Sequence, residues 1–258
     1  MSRQKRKLSQ TGLYHIIFRG ISRQNIFEEH FDFEKMKQIL IKVKDEMNFE
    51  MYAYCFMTNH VHLFIKENNR GDISKIMTKI LSHYALWFNK KYDRSGVLFA
   101  DRYKSEPVED ERYYIGLIRY IHQNPVKACI VDNPEDYLYS SYREYVNGNG
   151  GFVDMDFTLN MLGNDRKKAV AEFVRLNSTE SDESFEIKNS QRNNLDYIRR
   201  IIMSEIDGKR PESIKSMDKS ARNYLIQKLV FEKGISKTAL ERVTGISRGT
   251  IIRVCSKM

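Results

Sequence analysis

Apolar positions recur with two different periods along the first half of the chain. Residues 12–20 (GLYHIIFRG) form a β-branched and aromatic run ending at Gly20, which predicts a strand. Between 32 and 47, Met36, Ile39, Leu40 and Val43 recur on one helical face. Two more strand-like runs, 49–56 and 60–67, flank Met57-Thr58-Asn59 and predict a hairpin. A helix is expected from Asp72, a good N-cap, to about Lys91, carrying Ile76, Ile80, Tyr84 and Trp87. A strand over 97–108 follows. A helix then starts at Asp110 and carries Tyr113, Leu117 and Tyr120, with Pro125 as its expected stop. The order β, α, β, β, α, β, α predicts an α+β fold with a mainly antiparallel sheet.

Periodicity weakens after that. Residues 132–160 read as loops and short turns, with Gly-Asn-Gly-Gly at 148–151, and a short helix is expected over 164–176. Asn177–Glu186 (NSTESDESFE) has four carboxylates and no Lys or Arg, the composition of a linker. Helical patterning resumes at Leu195. Three segments result: 1–150, a connecting segment 151–194 and a helical domain 195–258. Within the last, 221–234 predicts a helix ending at Gly234. Ser236 is then placed to cap 237–244, Gly245-Ile246 to turn, and Ser247 to cap 248–257. This looks like a helix-turn-helix, which would turn Arg248, Thr250 and Arg253 toward DNA. Glu241 departs from that pattern, standing where a small residue usually lets the two helices approach.

Composition narrows the partners. The 258 residues carry 43 Lys and Arg against 34 Asp and Glu, a formal charge of +9, with 41% hydrophobic and 12% aromatic residues. That is a globular, basic chain, and basicity suits an acidic polymer, although surface charge also serves solubility. Cys55, Cys129 and Cys255 have no metal or disulfide spacing, which suggests a reducing cytoplasm. No apolar run approaches the ~20 residues of a bilayer span, and the charged start predicts no secretion signal.

Two segments could carry chemistry. His60 and His62 are two apart on an expected strand, so both imidazoles point to one face and could share a divalent metal. Two histidines on a half-buried strand would look the same. Tyr120 and Asn124 are four apart on an expected helix, one turn above each other. A tyrosine nucleophile beside a ligating amide would need that spacing, and so would an ordinary core tyrosine.

Four motifs in order resolve the alternatives. Met57-Thr58-Asn59-His60-Val61-His62-Leu63 resembles the MxNHVHL motif of single-tyrosine HUH transposases, and Arg119–Val131 (RYIHQNPVKACIV) resembles their RYIxxNPVxAxxV. Tyr14-His15, Arg19-Gly20 and Arg23 are similar to the family opening YHVxxRGxxR. Leu98-Phe99 with Arg102-Tyr103-Lys104-Ser105 is similar to LFxxRYKS. The resemblance covers about residues 12–145 and is nearest the REP-associated tyrosine transposases, named for the palindromic repeats they accompany.

The resemblance implies a ferredoxin-like sheet with the histidine pair on a central strand and the tyrosine on a neighbouring helix. It implies Mg²⁺ or Mn²⁺ on His60 and His62, with Asn124 as third ligand and Gln123 as the adjacent alternative. Tyr120 would attack the scissile phosphate of single-stranded or hairpin DNA. Arg19, Arg23, Arg102, Lys104 and Arg119 are the basic residues of the motifs and would hold phosphates. His122 would face elsewhere on the helix and could touch DNA. A cytoplasmic, nucleoid-associated enzyme, monomeric or homodimeric, is expected. The alternatives are a domesticated DNA-binding regulator without cleavage, and a replication-initiation or relaxase protein of the same chemistry.

Overall fold

The structure, a computed structural model, describes residues 6–100, 102–148, 151–178, 195–233, 235 and 237–255. They fall into two compact units, 1–185 and 186–258. Of the sequence expectations, most of the acidic linker and the capping residue Ser236 lie outside the described residues.

The first unit runs β1 (Leu13–Arg19), α1 (His30–Met47), β2 (Glu50–Met57), β3 (His60–Lys66), α2 (Ile73–Lys91), β4 (Lys104–Pro107) and α3 (Glu111–Lys127). The sheet order is β2-β3-β1-β4 with every pair antiparallel, a β-α-β-β-α-β arrangement of ferredoxin-like kind. Alternation along the strands decides which side chain goes where. Tyr14, Ile16 and Phe18 of β1 and Val61, Leu63 and Ile65 of β3 form one apolar face. Met36, Leu40 and Val43 of α1 and Ile76, Ile80 and Tyr84 of α2 share its core. The opposite face carries His15, Ile17 and Arg19 of β1 beside Phe64, His62 and His60 of β3. Helix α3 lies over this second face, with Tyr114 against Phe64 at 4.7 Å between ring centroids.

Three features differ from the sequence expectation. The strand expected over 97–108 is broken. Phe99 bridges to Gly20, and pairing with β1 resumes only at Lys104 opposite Ile17. Five residue steps (99 to 104) therefore oppose three (17 to 20), a bulge that leaves Arg102 exposed. Second, Pro125 does not end α3. It falls in the last turn, where its missing N–H costs one bond, and the end is closed by Ala128 N on Asn124 O and Ile130 N on Pro125 O, both 3.0 Å. Third, the region read as loops contains α4 (Tyr142–Asn147) and α5 (Met155–Leu162), followed by α6 (Arg166–Ser178). These are not a loose connection. Met155, Leu159 and Phe173 belong to the first unit's core, and the Asp154 carboxylate accepts from Met51 N and Lys44 Nζ at 2.7 Å each.

Among the described residues of the second unit the α-helices are α7 (Leu195–Glu205), α8 (Lys219–Phe231), α9 (Lys237–Thr244) and α10 (Arg248–Cys255), with a 3-10 turn at Pro211–Ser216 and no strand. Ile198, Ile202, Leu225, Leu229, Leu240, Val243, Ile251 and Val254 are in its core. Glu205 of α7 pairs with Lys228 at 2.6 Å and Lys233 at 3.0 Å. No helix among the described residues is long and apolar enough to cross a membrane.

One buried carboxylate ties the ends of α1 and α2 together. Asp32 is fully buried, accepts from the amides of Glu28 (2.7 Å) and Glu29 (3.1 Å) and from Tyr92 Oη (2.8 Å), and pairs with Lys91. Burial alone would raise its pKa, but these donors hold it below the ordinary 3.8. A depressed pKa contributes stability above the unfolded value and loses it as pH falls toward the folded one. Asp32→Ala is expected to cost about 2–4 kcal/mol in urea unfolding at pH 7, because it strands buried donors. Asp32→Asn should flatten the fall of stability below about pH 4; an unchanged acid limb would count against this role.

Candidate active site

The candidate site starts from the turn between β2 and β3. Thr58 O accepts from Ile26 N (2.8 Å) and Phe27 N (3.1 Å), and Asn59 O accepts from Gly20 N (2.9 Å). The hairpin tip is thereby fixed to the segment leaving β1. A side chain at Gly20 has no room, since its Cβ would lie 2.2 Å from Gln24 O. The glycine of the Arg19-Gly20 pair is thus a packing requirement that sets where Arg19 ends. Arg19 stands directly opposite His60 in the register.

His60 and His62 share the face of β3 beneath α3, with ring centroids 5.1 Å apart. Each has its Nδ1 engaged. His60 Nδ1 donates to Asn59 Oδ1 at 2.7 Å, and His62 Nδ1 faces His15 Nε2 at 3.1 Å. The Nε2 atoms are what remain for a ligand. Burial lowers the His60 pKa to about 4, with Arg19 adding to the effect. Burial likewise puts His62 well below the usual value, helped by His60, His15 and Arg19, and brings His15 to about 3. All three imidazoles are neutral near pH 7, the form that binds metal.

Tyr120 completes the cluster from α3. It is 9% exposed, and its ring meets His62 edge-on at 5.5 Å and His15 at 5.9 Å. Asn124 lies one turn on and donates its Nδ2 to Tyr120 O at 2.8 Å. The neighbouring Gln123 is buried and donates its Nε2 to Asn177 O of α6 at 2.7 Å. Among the described residues, no group of three or more His, Cys, Asp or Glu could hold a metal. Any ion here would rest on two imidazoles together with neutral or substrate oxygens. Two neutral imidazoles on one strand face fit a divalent cation that must also accept a phosphate oxygen.

The remaining sequence candidates separate. Arg19 and Lys104 lie on the histidine face, Lys104 opposite Ile17, both half-buried. Arg23 and Arg102 are exposed. Arg119 goes elsewhere. One residue before Tyr120 is about 100° around the helix, and Arg119 lines a cleft of about 490 Å³ with Arg112, Met161 and Leu176. His122 does face elsewhere on the helix: it is fully buried against Tyr142, Tyr145 and Phe173, its Nε2 2.7 Å from Ser141 Oγ, a core position that leaves no DNA contact. In the second unit Arg248 and Arg253 are exposed on α10, whereas Thr250 Oγ1 bonds to Ser247 Oγ at 2.9 Å within the helix cap.

Two site residues were not singled out from sequence. His15 was visible only as part of a motif. Lys127 places its Nζ 5.6 Å from the centre of the Tyr120 ring, close enough to bias charge there. Its signal was spacing: Lys127 is seven residues, two turns, after Tyr120.

Residues 9–124 match the family described as transposase IS200-like. A REP-associated tyrosine transposase of Haemophilus influenzae (strain Rd) is 26% identical over 159 residues, covering 57% of this chain and 88% of that protein. Among solved structures, a REP-associated tyrosine transposase bound to a REP hairpin has 20% identity and a TM-score of 0.49. It covers 60% of this chain and 96% of that one. A Deinococcus radiodurans protein described as a transposase has 18% identity and a TM-score of 0.34, over 48% of this chain and 95% of that one.

Proposed function

We propose, from the match of residues 9–124 to the transposase IS200-like family, that the chain cleaves and rejoins single-stranded DNA through Tyr120. The observation that carries this reading is the Tyr120 ring lying 5.5 Å from His62, beneath α3 and on the face that holds the histidine pair. An ordinary core tyrosine would not need two neutral imidazoles beside it.

In the proposed reaction Tyr120 Oη attacks the scissile phosphorus in line. The new bond is tyrosyl O–P and the broken one is P–O3′, so the products are a 5′-phosphotyrosine and a free 3′-hydroxyl. The phenolic proton is lost, and the departing 3′-oxygen gains one. Another 3′-hydroxyl attacking the phosphotyrosine reverses the step and rejoins the strand without further energy input. A phenol with pKa near 10 is a weak nucleophile at pH 7, so positive charge near the oxygen is needed to ease proton loss. Lys127, with its Nζ 5.6 Å from the centre of the ring, would add positive charge on that side of Tyr120.

His60 and His62 would hold Mg²⁺ or Mn²⁺ through Nε2, with Asn124 as third ligand. When bound, the ion polarises the scissile phosphate and offsets its charge. Asn124 suits this better than Gln123 by its place: its amide bonds Tyr120 O one turn back, whereas the buried Gln123 amide bonds Asn177 of α6. Arg19 and Lys104 flank the histidines and would hold neighbouring phosphates, setting register rather than sequence. Arg23 and Arg102, both exposed, would add further phosphate contacts. Arg119 would reach DNA only at its separate cleft.

The second unit would supply site recognition as a helix-turn-helix. Helices α9 and α10 are joined by Gly245–Ser247, with Gly245 in a left-handed conformation. Glu241, which departs from the usual small residue, accepts from Arg248 N at 3.0 Å and so caps α10 from the preceding helix. The exposed face of α10 carries Arg248, Gly249, Ile252 and Arg253, and the apolar Ile252 would suit a thymine methyl. Thr250, held in the cap, would contribute to positioning the helix. Hairpin or palindromic-repeat DNA is the proposed substrate, by similarity to the REP-associated branch, and the cytoplasm is the proposed setting.

The test is covalent trapping. Wild-type protein, labelled single-stranded hairpin DNA from its own genomic flanks and Mn²⁺ should give a band that survives a denaturing gel. Tyr120→Phe should give none while keeping its DNA affinity, and His62→Ala should lower the yield at least 10²–10³-fold. A Tyr120→Phe adduct would move the nucleophile elsewhere. No wild-type adduct, with duplex binding retained, would favour a regulator that does not cut.

Recognition by α10 is tested separately by fluorescence anisotropy. Arg248→Ala and Arg253→Ala are each expected to weaken binding to the cognate repeat by ~1–3 kcal/mol and to reduce its salt slope by about one per lost phosphate contact. Unchanged affinity in both variants would remove α10 from the interface.

A further inference from the structure

We infer that His15 is the positioning residue that fixes which nitrogen of His62 is free to bind metal. This rests on the proposed function and assigns it an additional residue.

The two rings are nearly parallel, 19° apart with centroids at 5.4 Å, and His15 Nε2 lies 3.1 Å from His62 Nδ1. One proton occupies that contact, so there are two arrangements. If His15 Nε2 donates, His62 Nδ1 accepts and the His62 proton sits on Nε2, where it blocks ligation. If His62 Nδ1 donates, Nε2 keeps its lone pair and His15 is the acceptor. Only the second serves a metal site. It requires the His15 proton on Nδ1, which is buried and has no hydrogen-bond partner.

That unpartnered nitrogen argues against a purely structural histidine, because burying such a group costs free energy that an apolar residue at the same place would avoid. Its neighbours on the face explain its placement. His15 is fully buried, stands opposite Phe64, and contacts Tyr120 edge-on. It therefore holds the His62 ring from one side while α3 closes the other. A ligating histidine is commonly oriented by a carboxylate or carbonyl on its second nitrogen. Here the orienting group is a neutral imidazole, which adds no negative charge, so a bound cation would keep more of its attraction for the phosphate.

The experiment reads Mn²⁺ binding to the full-length protein without DNA by calorimetry, with the His62 tautomer read by ¹⁵N NMR of the metal-free protein. His15→Phe preserves bulk but removes the acceptor, and Mn²⁺ affinity should fall 10–100-fold, the usual cost of losing an orienting partner. His15→Gln can present Oε1 near the position of Nε2 and should recover affinity to within about threefold. Wild-type His62 should carry its proton on Nδ1. If His15→Phe binds Mn²⁺ within threefold of wild type, or if His62 is protonated on Nε2, the inference falls while the metal site stands. If wild type binds no Mn²⁺, the metal reading falls and takes this inference with it. Should His15→Phe fail to fold, the tautomer and His15→Gln still decide: the wrong tautomer, or a folded His15→Gln without Mn²⁺ affinity, overturns it.

Discussion

The central sheet buries both faces, but only one of them is apolar, and the site follows from how the polar face is satisfied. Under α1 and α2 the packing contacts are mainly aliphatic and aromatic, so the requirement is chiefly volume. Under α3 the sheet presents His15 and His62, both at or near full burial, with Tyr120 lowered onto them. Buried polar rings need partners, and here they largely find them in one another: His62 in His15, His60 in Asn59. Helix α3 can cover this face because its own outer side is covered in turn. Tyr114 Oη meets Thr158 Oγ1 at 2.7 Å, and Gln123 and His122 bond to groups of α6 and the start of α4. Residues 151–178 thus do part of the work of placing Tyr120, which a purely connecting segment would not.

Alternation in β1 connects this arrangement to sequence. Tyr14 and His15 are adjacent yet serve opposite faces. Tyr14 Oη donates to the buried Glu67, whose other oxygen accepts from Ile73 N and so anchors the start of α2. His15 turns to His62. The strand period, the His-x-His spacing and the tyrosine-to-asparagine turn were therefore legible, because each depends only on local geometry. The positions that escaped depend on neighbours distant in sequence. The bulge before Lys104 exists because Phe99 and Lys104 pair with the same strand out of step, which no local pattern records. His122 is polar in sequence, but Ser141, nineteen residues on, makes it a core residue. Arg119 could have been read better: a step of one residue turns ~100° on a helix, so it cannot share the direction of Tyr120.

Glu241 teaches the same lesson in the second unit. Its type and position argue against close approach of two helices, yet its side chain reaches the first amide of the next helix. A carboxylate at a helix N-terminus is favourable both as acceptor and as charge against the helix dipole. The long side chain thus supplies a cap at α10 that a small residue could not. What departs from the pattern in sequence is a helix cap in the structure.

Desolvation joins stability to chemistry at the first unit's site. In water an imidazole is partly protonated near neutrality, and two adjacent cations would repel a divalent ion. Burial removes that charge from His15, His60 and His62 together, and Arg19 pushes His60 in the same direction. The same burial makes the protonated form costly, so the folded chain loses stability where the unfolded chain can take up protons, below the ordinary imidazole value. Apolar residues at these positions would avoid that sensitivity. They would also leave Tyr120 beside hydrocarbon, with nothing to receive a phosphate. The polar face of the sheet is therefore best understood as a cost carried by the fold for the chemistry proposed at Tyr120, and the apolar face beneath α1 and α2 is what makes that cost tolerable.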